Sequence, residues 1–181
     1  ESFKFEGGIS QFVNDLNKAK QVFYALPSPV ETAMLIKRTG TDFDARIANP
    51  VENAPNYSTN FKKALNFGVY GADLSYVSLF GQTQASIQYM GVSKKIADEL
   101  GILGFINQGI MERLEKNVTN RDSAMQIITE GFMTSNEHLK EAGRPETAVL
   151  IISGGWIEGL YIATALTKNT PNNNELIDRI I

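Results

Sequence analysis

The chain has 181 residues, a net charge of −3 at neutral pH, 43% hydrophobic residues and 20% charged residues. These values are typical of one globular domain and exclude a disordered chain. The acidic balance, with no basic run longer than two residues, argues against a nucleic-acid-binding protein. Cysteine is absent, which excludes disulfides, thiol catalysis and thiolate metal ligands.

Helix start and stop signals recur along the chain, while the alternation typical of strands is scarce. Ser28, Pro29 and Glu31 form a capping box at the start of one helix, and Gly40 follows its end. Residues 41–57 are predicted to be a loop with one helical turn. Further helices are expected at about residues 10–24, 59–80, 82–100, 105–117, 121–142, 145–168 and 175–181.

These signals predict an all-α fold. Short connections between consecutive helices favour antiparallel neighbours in a bundle. We therefore predict one domain over residues 1–181, a bundle of about seven helices around a central, buried, glycine-containing helix.

Two of the predicted helices carry small residues on one face. They are Gly155, Gly159 and Ala163 in residues 145–168, and Ala64, Gly68, Gly71, Ser75 and Ser78 in residues 59–80. An interior glycine costs a helix about 1 kcal/mol relative to alanine, so repeated glycines indicate that another backbone approaches closely. We predict that these two helices cross at the centre of the fold; the alternative is that each packs against a different element.

The stretch 148–166 is almost long enough to span a bilayer, but Glu158 lies near its centre. Its eight Val, Leu and Ile residues contribute about −4 kcal/mol to membrane insertion, and one central acid costs about 3 kcal/mol. Insertion is therefore marginal at best. We predict that residues 145–168 are not a membrane span and are instead the most buried helix of a soluble domain.

Two short runs resemble a family of uncharacterised exported proteins, often lipoprotein-like, from Bacteroidetes-type bacteria. The matching residues are Leu26, Pro27, Ser28, Pro29 and Glu31 in the first run, and Ala64, Leu65, Asn66, Gly68, Tyr70, Gly71, Ala72, Asp73 and Leu74 in the second. The resemblance extends over about residues 23–166. It implies a protein of the periplasm or cell envelope, with any lipid anchor outside this chain, and it brings no catalytic residue with it.

Asp73 and Glu158 are the candidate functional residues, because each is a carboxylate inside an apolar helix. Unpaired burial of a carboxylate costs several kcal/mol, so each must be paired, hydrogen-bonded or protonated. One interpretation is that both acids face a pocket with aromatic walls, which would suit a polar or cationic ligand. The candidate ligand-binding residues are then Asp73, Glu158, Tyr70, Tyr76, Trp156, Tyr161 and Glu31. The alternative is that each acid bonds a tyrosine hydroxyl or a free backbone N–H.

The sequence offers no support for a metal, a nucleotide or a serine-hydrolase site. His138 is the single histidine, with Ser135 three residues before it, so no metal-binding pair forms and a solvated imidazole at a helix end is expected. No phosphate-binding loop or nucleophile elbow is present. We therefore predict no metal, no cofactor and no catalytic residue.

These observations favour a soluble, envelope-associated helical binding or interaction module over an enzyme. Its partner would be an unknown small molecule or an envelope protein, and not nucleic acid. One alternative is an enzyme that uses Asp73, Glu158 and Glu31 in a polar pocket. Another is a scaffold component whose partner covers an exposed apolar face.

Overall fold

A computed structural model describes residues 40–104, 106 and 108–167, together with Lys37. The predicted helices at residues 10–24 and 175–181 lie outside the described residues. So does the helix expected after Pro29, apart from Lys37, and with it the candidate site residue Glu31.

All regular structure in the described residues is helical, which confirms the predicted all-α fold. The loop after Gly40 contains a short 3-10 helix at Val51–Asn56. Five α-helices follow: α1 Asn60–Leu79, α2 Thr83–Glu99, α3 Gln108–Asn117, α4 Arg121–Glu141 and α5 Pro145–Thr167. Each corresponds to a helix predicted from the sequence, and the 3-10 helix is the turn predicted within residues 41–57.

Local chemistry explains where these helices begin and end. The Thr59 side chain accepts a hydrogen bond of 3.2 Å from the backbone N–H three residues later, and Asn120 does the same at the start of α4. Gly101 and Gly143 follow the ends of α2 and α4 with φ of 66° and 70°. Gly40 has φ of 78°, as its predicted place after a helix requires.

The closest contact in the fold is the crossing of α1 and α5. A Cβ atom at Gly68 would overlap the carbonyl oxygen of Ile151, and one at Gly154 would overlap the carbonyl oxygen of Leu65. Both helices therefore need glycine at the crossing, and the predicted direct contact is confirmed. On α5 the overlap falls at Gly154, which the predicted stripe of Gly155, Gly159 and Ala163 did not include.

The most buried helix is α1, so the prediction that residues 145–168 hold this place is wrong. All ten residues from Tyr70 to Leu79 are buried, because α1 packs against α2, α4 and α5. Gly71 even gives room to the ring of Phe132 on α4. Helix α5 instead has an outer apolar face, exposed by 38–55% at Val149, Ile152, Ile157, Leu160 and Tyr161.

Helix α5 is long and apolar enough to cross a membrane by length and composition. About a third of its most apolar stretch, 33%, is buried. The buried side of this helix is the one that packs on α1, and the outer apolar face lies on the other side.

We predict that Gly68→Ala lowers the free energy of unfolding by about 2–3 kcal/mol, because the added methyl group forces α1 and α5 apart. The matched control is Gly91→Ala on the exposed side of α2, where a Cβ meets no atom within 4 Å. That change should be neutral or stabilise the protein by up to about 1 kcal/mol. Urea unfolding measures both variants, and equal effects would contradict the crossing.

Candidate functional site

The crossing of α1 and α5 brings Asp73 and Glu158 together. Asp73 lies one and a half turns beyond Gly68 on α1 and is completely buried, with 0% exposure. Glu158 lies one turn beyond Gly154 on α5 and is partly exposed. Their carboxyl groups are close enough that each changes the pKa of the other. Two acids 85 residues apart in sequence therefore form one pair.

The two carboxyl oxygens of Asp73 differ in their hydrogen bonding. Oδ2 accepts a hydrogen bond of 3.3 Å from the backbone N–H of Asn49. Oδ1 is buried and accepts no hydrogen bond from a backbone or side-chain donor of the described residues. The interpretation in which a free backbone N–H satisfies the acid is therefore half correct, and the tyrosine hydroxyls nearby bond elsewhere.

Tyr70 and Tyr89 lie near the buried carboxyl, and together with Tyr57 they hold the loop before α1 in place. The hydroxyl of Tyr70 donates to the carbonyl of Pro50, and that of Tyr89 donates to the carbonyl of Asn49, both at 2.9 Å. The Asn49 side chain donates to the hydroxyl of Tyr57 at 3.1 Å. The Tyr70 ring lies 6.2 Å from the Tyr57 ring and 6.1 Å from the Tyr89 ring, measured between centroids. We call Asp73, Glu158, Tyr57, Tyr70, Tyr89 and Asn49 the carboxyl–tyrosine cluster.

Burial governs the protonation of this cluster. Burial, and then the negative charge of Glu158, raise the pKa of Asp73 far above its usual range. Burial also raises the pKa of Glu158, although a hydrogen bond from the protonated Asp73 favours its carboxylate. At neutral pH the pair therefore holds a proton, most of it on Asp73.

The tyrosines of the cluster are neutral hydrogen-bond donors. Burial is the main cause that raises the pKa of Tyr70 and Tyr89, and the charge of Asp73 adds to it. Their hydroxyl protons point to backbone carbonyls, which fixes the rings. These two side chains act as rigid walls around the acids.

Of the candidate binding residues, the structure brings Tyr70 to the acid pair and leaves Tyr76 away from it. The Tyr76 hydroxyl accepts from the Asp44 N–H at 3.0 Å and donates to the Asp44 carbonyl at 3.2 Å. The Tyr76 ring packs against Phe43 and Phe80 at 5.2 and 5.1 Å. This arrangement anchors the start of the loop, so Tyr76 has a structural role.

The two aromatic candidates on α5 lie apart from the buried acid. Tyr161 is 50% exposed and belongs to the outer apolar face. Trp156 is partly buried, and at two residues from Glu158 it projects about 200° away around the helix. Neither residue contributes to the shifted pKa of Asp73 or Glu158.

Sequence reasoning missed Tyr89, Asn49 and Tyr57. Tyr89 lies in the middle of α2, and no local pattern distinguishes it from a core aromatic residue. Asn49 and Tyr57 belong to an Asn- and Pro-rich loop that could have been singled out as a loop held against the core.

Other chemistry is sparse in the part of the chain that is described. No group of three or more His, Cys, Asp or Glu side chains there could hold a metal ion. His138 is half exposed, with its Nδ1 at 3.4 Å from Glu141 near the end of α4. A separate apolar cavity of about 50 Å³ lies among α1, α2, α3 and α4, bordered by Phe67, Leu74, Met90 and Ile110.

No protein-family profile, curated protein or solved structure matches this chain. The resemblance to exported proteins therefore stays a prediction.

We predict that Asp73→Asn makes stability less dependent on pH. The pKa values of Asp73 and Glu158 are raised in the folded protein. Protonation of these two carboxyl groups therefore contributes fully to the stability of the folded protein below about pH 4, where the two groups are also protonated in the unfolded chain. This contribution to stability is lost as the pH rises through the raised pKa values of Asp73 and Glu158. The unfolding free energy of the wild type should therefore fall between about pH 5 and about pH 8, and that of Asp73→Asn should fall less, by at least about 1 kcal/mol.

Urea unfolding at both pH values measures this difference. The control is Asp98→Asn, an exposed acid on α2, which should follow the wild type. An Asp73→Asn profile parallel to that of the wild type would show that Asp73 is ionised in the folded protein.

We predict that Tyr89→Phe lowers the free energy of unfolding by about 1–2 kcal/mol, because it leaves the Asn49 carbonyl without its donor. Tyr161→Phe removes the same atom from a half-exposed ring and should change stability by less than about 0.5 kcal/mol. Thermal or urea unfolding compares the two variants. Equal losses would mean that the hydroxyl of Tyr89 does not hold the loop.

Proposed function

We propose that this chain is a soluble, envelope-associated binding module, and that the carboxyl–tyrosine cluster is its ligand site. The observation that carries the proposal is that Asp73 is fully buried beside a second carboxyl group and that its Oδ1 accepts no hydrogen bond from any donor of the described residues. The envelope location rests on the resemblance described above. The ligand would be a small molecule that reaches the cluster past Glu158, the partly exposed acid of the pair.

A ligand site accounts for the unpartnered oxygen better than a structural role does. A buried acceptor without a donor costs about 1–3 kcal/mol, and a second acid beside it adds repulsion whenever both ionise. A pair that served only to connect α1 and α5 could consist of one donor and one acceptor, at no such cost. A bound molecule with its own donors would satisfy Asp73 Oδ1 and recover the energy.

The rigid surroundings of the acids also support binding. Tyr70 and Tyr89 are each fixed by a hydrogen bond to a loop carbonyl, so both rings are held in place before any ligand arrives. A preformed site loses little conformational entropy when it binds. The site is also built on helices, which hold side chains more firmly than loops do.

An enzyme that uses Asp73 and Glu158 is the first alternative, because two carboxyl groups that share a proton can also exchange protons with a substrate. The neighbouring tyrosines have raised pKa values and direct their protons to backbone carbonyls, so they do not supply a base or a nucleophile. This chemistry favours binding over catalysis.

A scaffold component is the second alternative, and the outer apolar face of α5 favours it. Five large apolar side chains are exposed there by 38–55%. An apolar patch of this kind is typical of a surface that contacts another protein or a membrane. The outer apolar face and the carboxyl–tyrosine cluster lie on different sides of α5, so a partner on the outer face would not contact the buried Asp73.

We predict that a screen of small polar molecules by thermal shift gives ligands that stabilise the wild type but not Asp73→Asn or Glu158→Gln. A ligand that binds only the folded protein raises the unfolding temperature, by an amount that increases with the ratio of its concentration to its Kd, so loss of the site removes the shift. The panel should contain neutral, anionic and cationic compounds of similar size.

The matched controls are Asp98→Asn on α2 and Glu146→Gln in the first turn of α5, both exposed acids. They should respond to the ligands as the wild type does. If every stabilising compound acts equally on all five proteins, the cluster is not the ligand site.

A further inference from the structure

We propose that the carboxyl–tyrosine cluster binds an organic ammonium group between Asp73 and Glu158. This inference rests on the proposed binding function and adds the chemical class of the ligand. The remainder of the ligand would lie toward Glu158, because Asp73 is fully buried and Glu158 is the partly exposed acid of the pair.

The charge of the site is the first argument for a cation. The pair consists of Asp73 on α1 and Glu158 on α5. The other titratable or polar groups that face it are Tyr70 from α1, Tyr89 from α2 and Asn49 from the loop. No basic side chain of the described residues influences either acid. Exposed Glu52 adds a further negative charge near Tyr89. A cationic ligand would supply the missing positive charge, and an anion would be repelled.

The hydrogen-bonding capacity of the site is the second argument. Asp73 Oδ1 has no donor, and Asp73 Oδ2 has one donor at the long distance of 3.3 Å. Glu158 adds two more acceptor oxygens. An ammonium group brings several N–H donors in one small volume, which matches acceptors that belong to two helices. A neutral alcohol brings one donor and would leave the negative charge of the acids without a positive partner.

The aromatic walls favour an organic ammonium over a metal ion. Cations are attracted to the faces of aromatic rings. The Tyr70 ring lies 6.2 Å from the Tyr57 ring and 6.1 Å from the Tyr89 ring, and both Tyr70 and Tyr89 are near Asp73. A hard divalent ion such as Ca²⁺ requires six to eight oxygen ligands. The described residues contain no third acid close enough to make such a group, and the hydroxyls of Tyr70 and Tyr89 are engaged with the loop.

Binding must release a proton to the solvent. The empty pair holds at least one proton at neutral pH, whereas an ammonium group pairs best with two carboxylates. The proton that leaves the pair is taken up by buffer, and the ammonium keeps its own protons. Affinity should therefore increase with pH until the pair ionises unaided. Up to about two protons should be released per ligand bound at about pH 6, and about one at about pH 8.

The test is isothermal titration calorimetry with n-butylammonium, with 1-butanol, butyrate and Ca²⁺ as comparison probes. Titrations in two buffers of different ionisation enthalpy give the number of protons released. We expect n-butylammonium to bind the wild type, more tightly at about pH 8 than at about pH 6, with proton release in both buffers. Binding should weaken at least about tenfold in Asp73→Asn and Glu158→Gln and stay unchanged in Asp98→Asn and Glu146→Gln.

Each other outcome overturns the inference in a recognisable way. If 1-butanol or butyrate binds and depends on Asp73, the ligand class is wrong while the proposed binding function stands. If Ca²⁺ binds and n-butylammonium does not, the site is a metal site. If n-butylammonium binds without proton release and equally to all variants, it binds elsewhere. If no probe binds, and the wider screen gives no ligand whose binding is lost in Asp73→Asn, the proposed binding function is wrong as well.

Discussion

The close approach of α1 and α5 is the constraint on which the rest of the structure depends. At Gly68 and Gly154 each helix lies against a carbonyl oxygen of the other, with no room for a side chain between them. This contact places α1 at the centre, where α2 and α4 also pack on it. It also fixes the rotation of α5, and with it the side of the helix that turns inward.

The same contact brings the two acids together and makes it energetically costly to ionise both. Once α5 is held at Gly154, Glu158 projects toward α1, where Asp73 is completely buried. Two carboxyl groups in this position cannot both ionise cheaply, so the fold retains a proton that either acid alone in water would lose at neutral pH. The Asn49 N–H of the loop before α1 donates a hydrogen bond to Asp73 Oδ2, whereas Asp73 Oδ1 accepts none from the described residues.

Helix α5 serves two surfaces of the molecule. Its inner side supplies glycines to the crossing and Glu158 to the carboxyl–tyrosine cluster. Its outer apolar face is exposed and nearly without charge, which is unusual for a helix of a soluble protein. The proposed ligand site and the surface available to a larger partner are thus separated by the thickness of one helix, and rotation of α5 would alter both at once.

Local sequence patterns correctly predict the helical class, the ends of α1, α2 and α4, and the two helices that cross through small residues. Those features depend on caps, glycines and periodicity within a few residues of the chain. Long-range packing instead brings Asp73 to Glu158, adds Tyr89 and Asn49 to the pair, turns Tyr76 toward Asp44 and buries α1 more than α5. These contacts depend on how helices that are distant in sequence rotate and slide relative to one another. Many such arrangements are compatible with the same local sequence pattern.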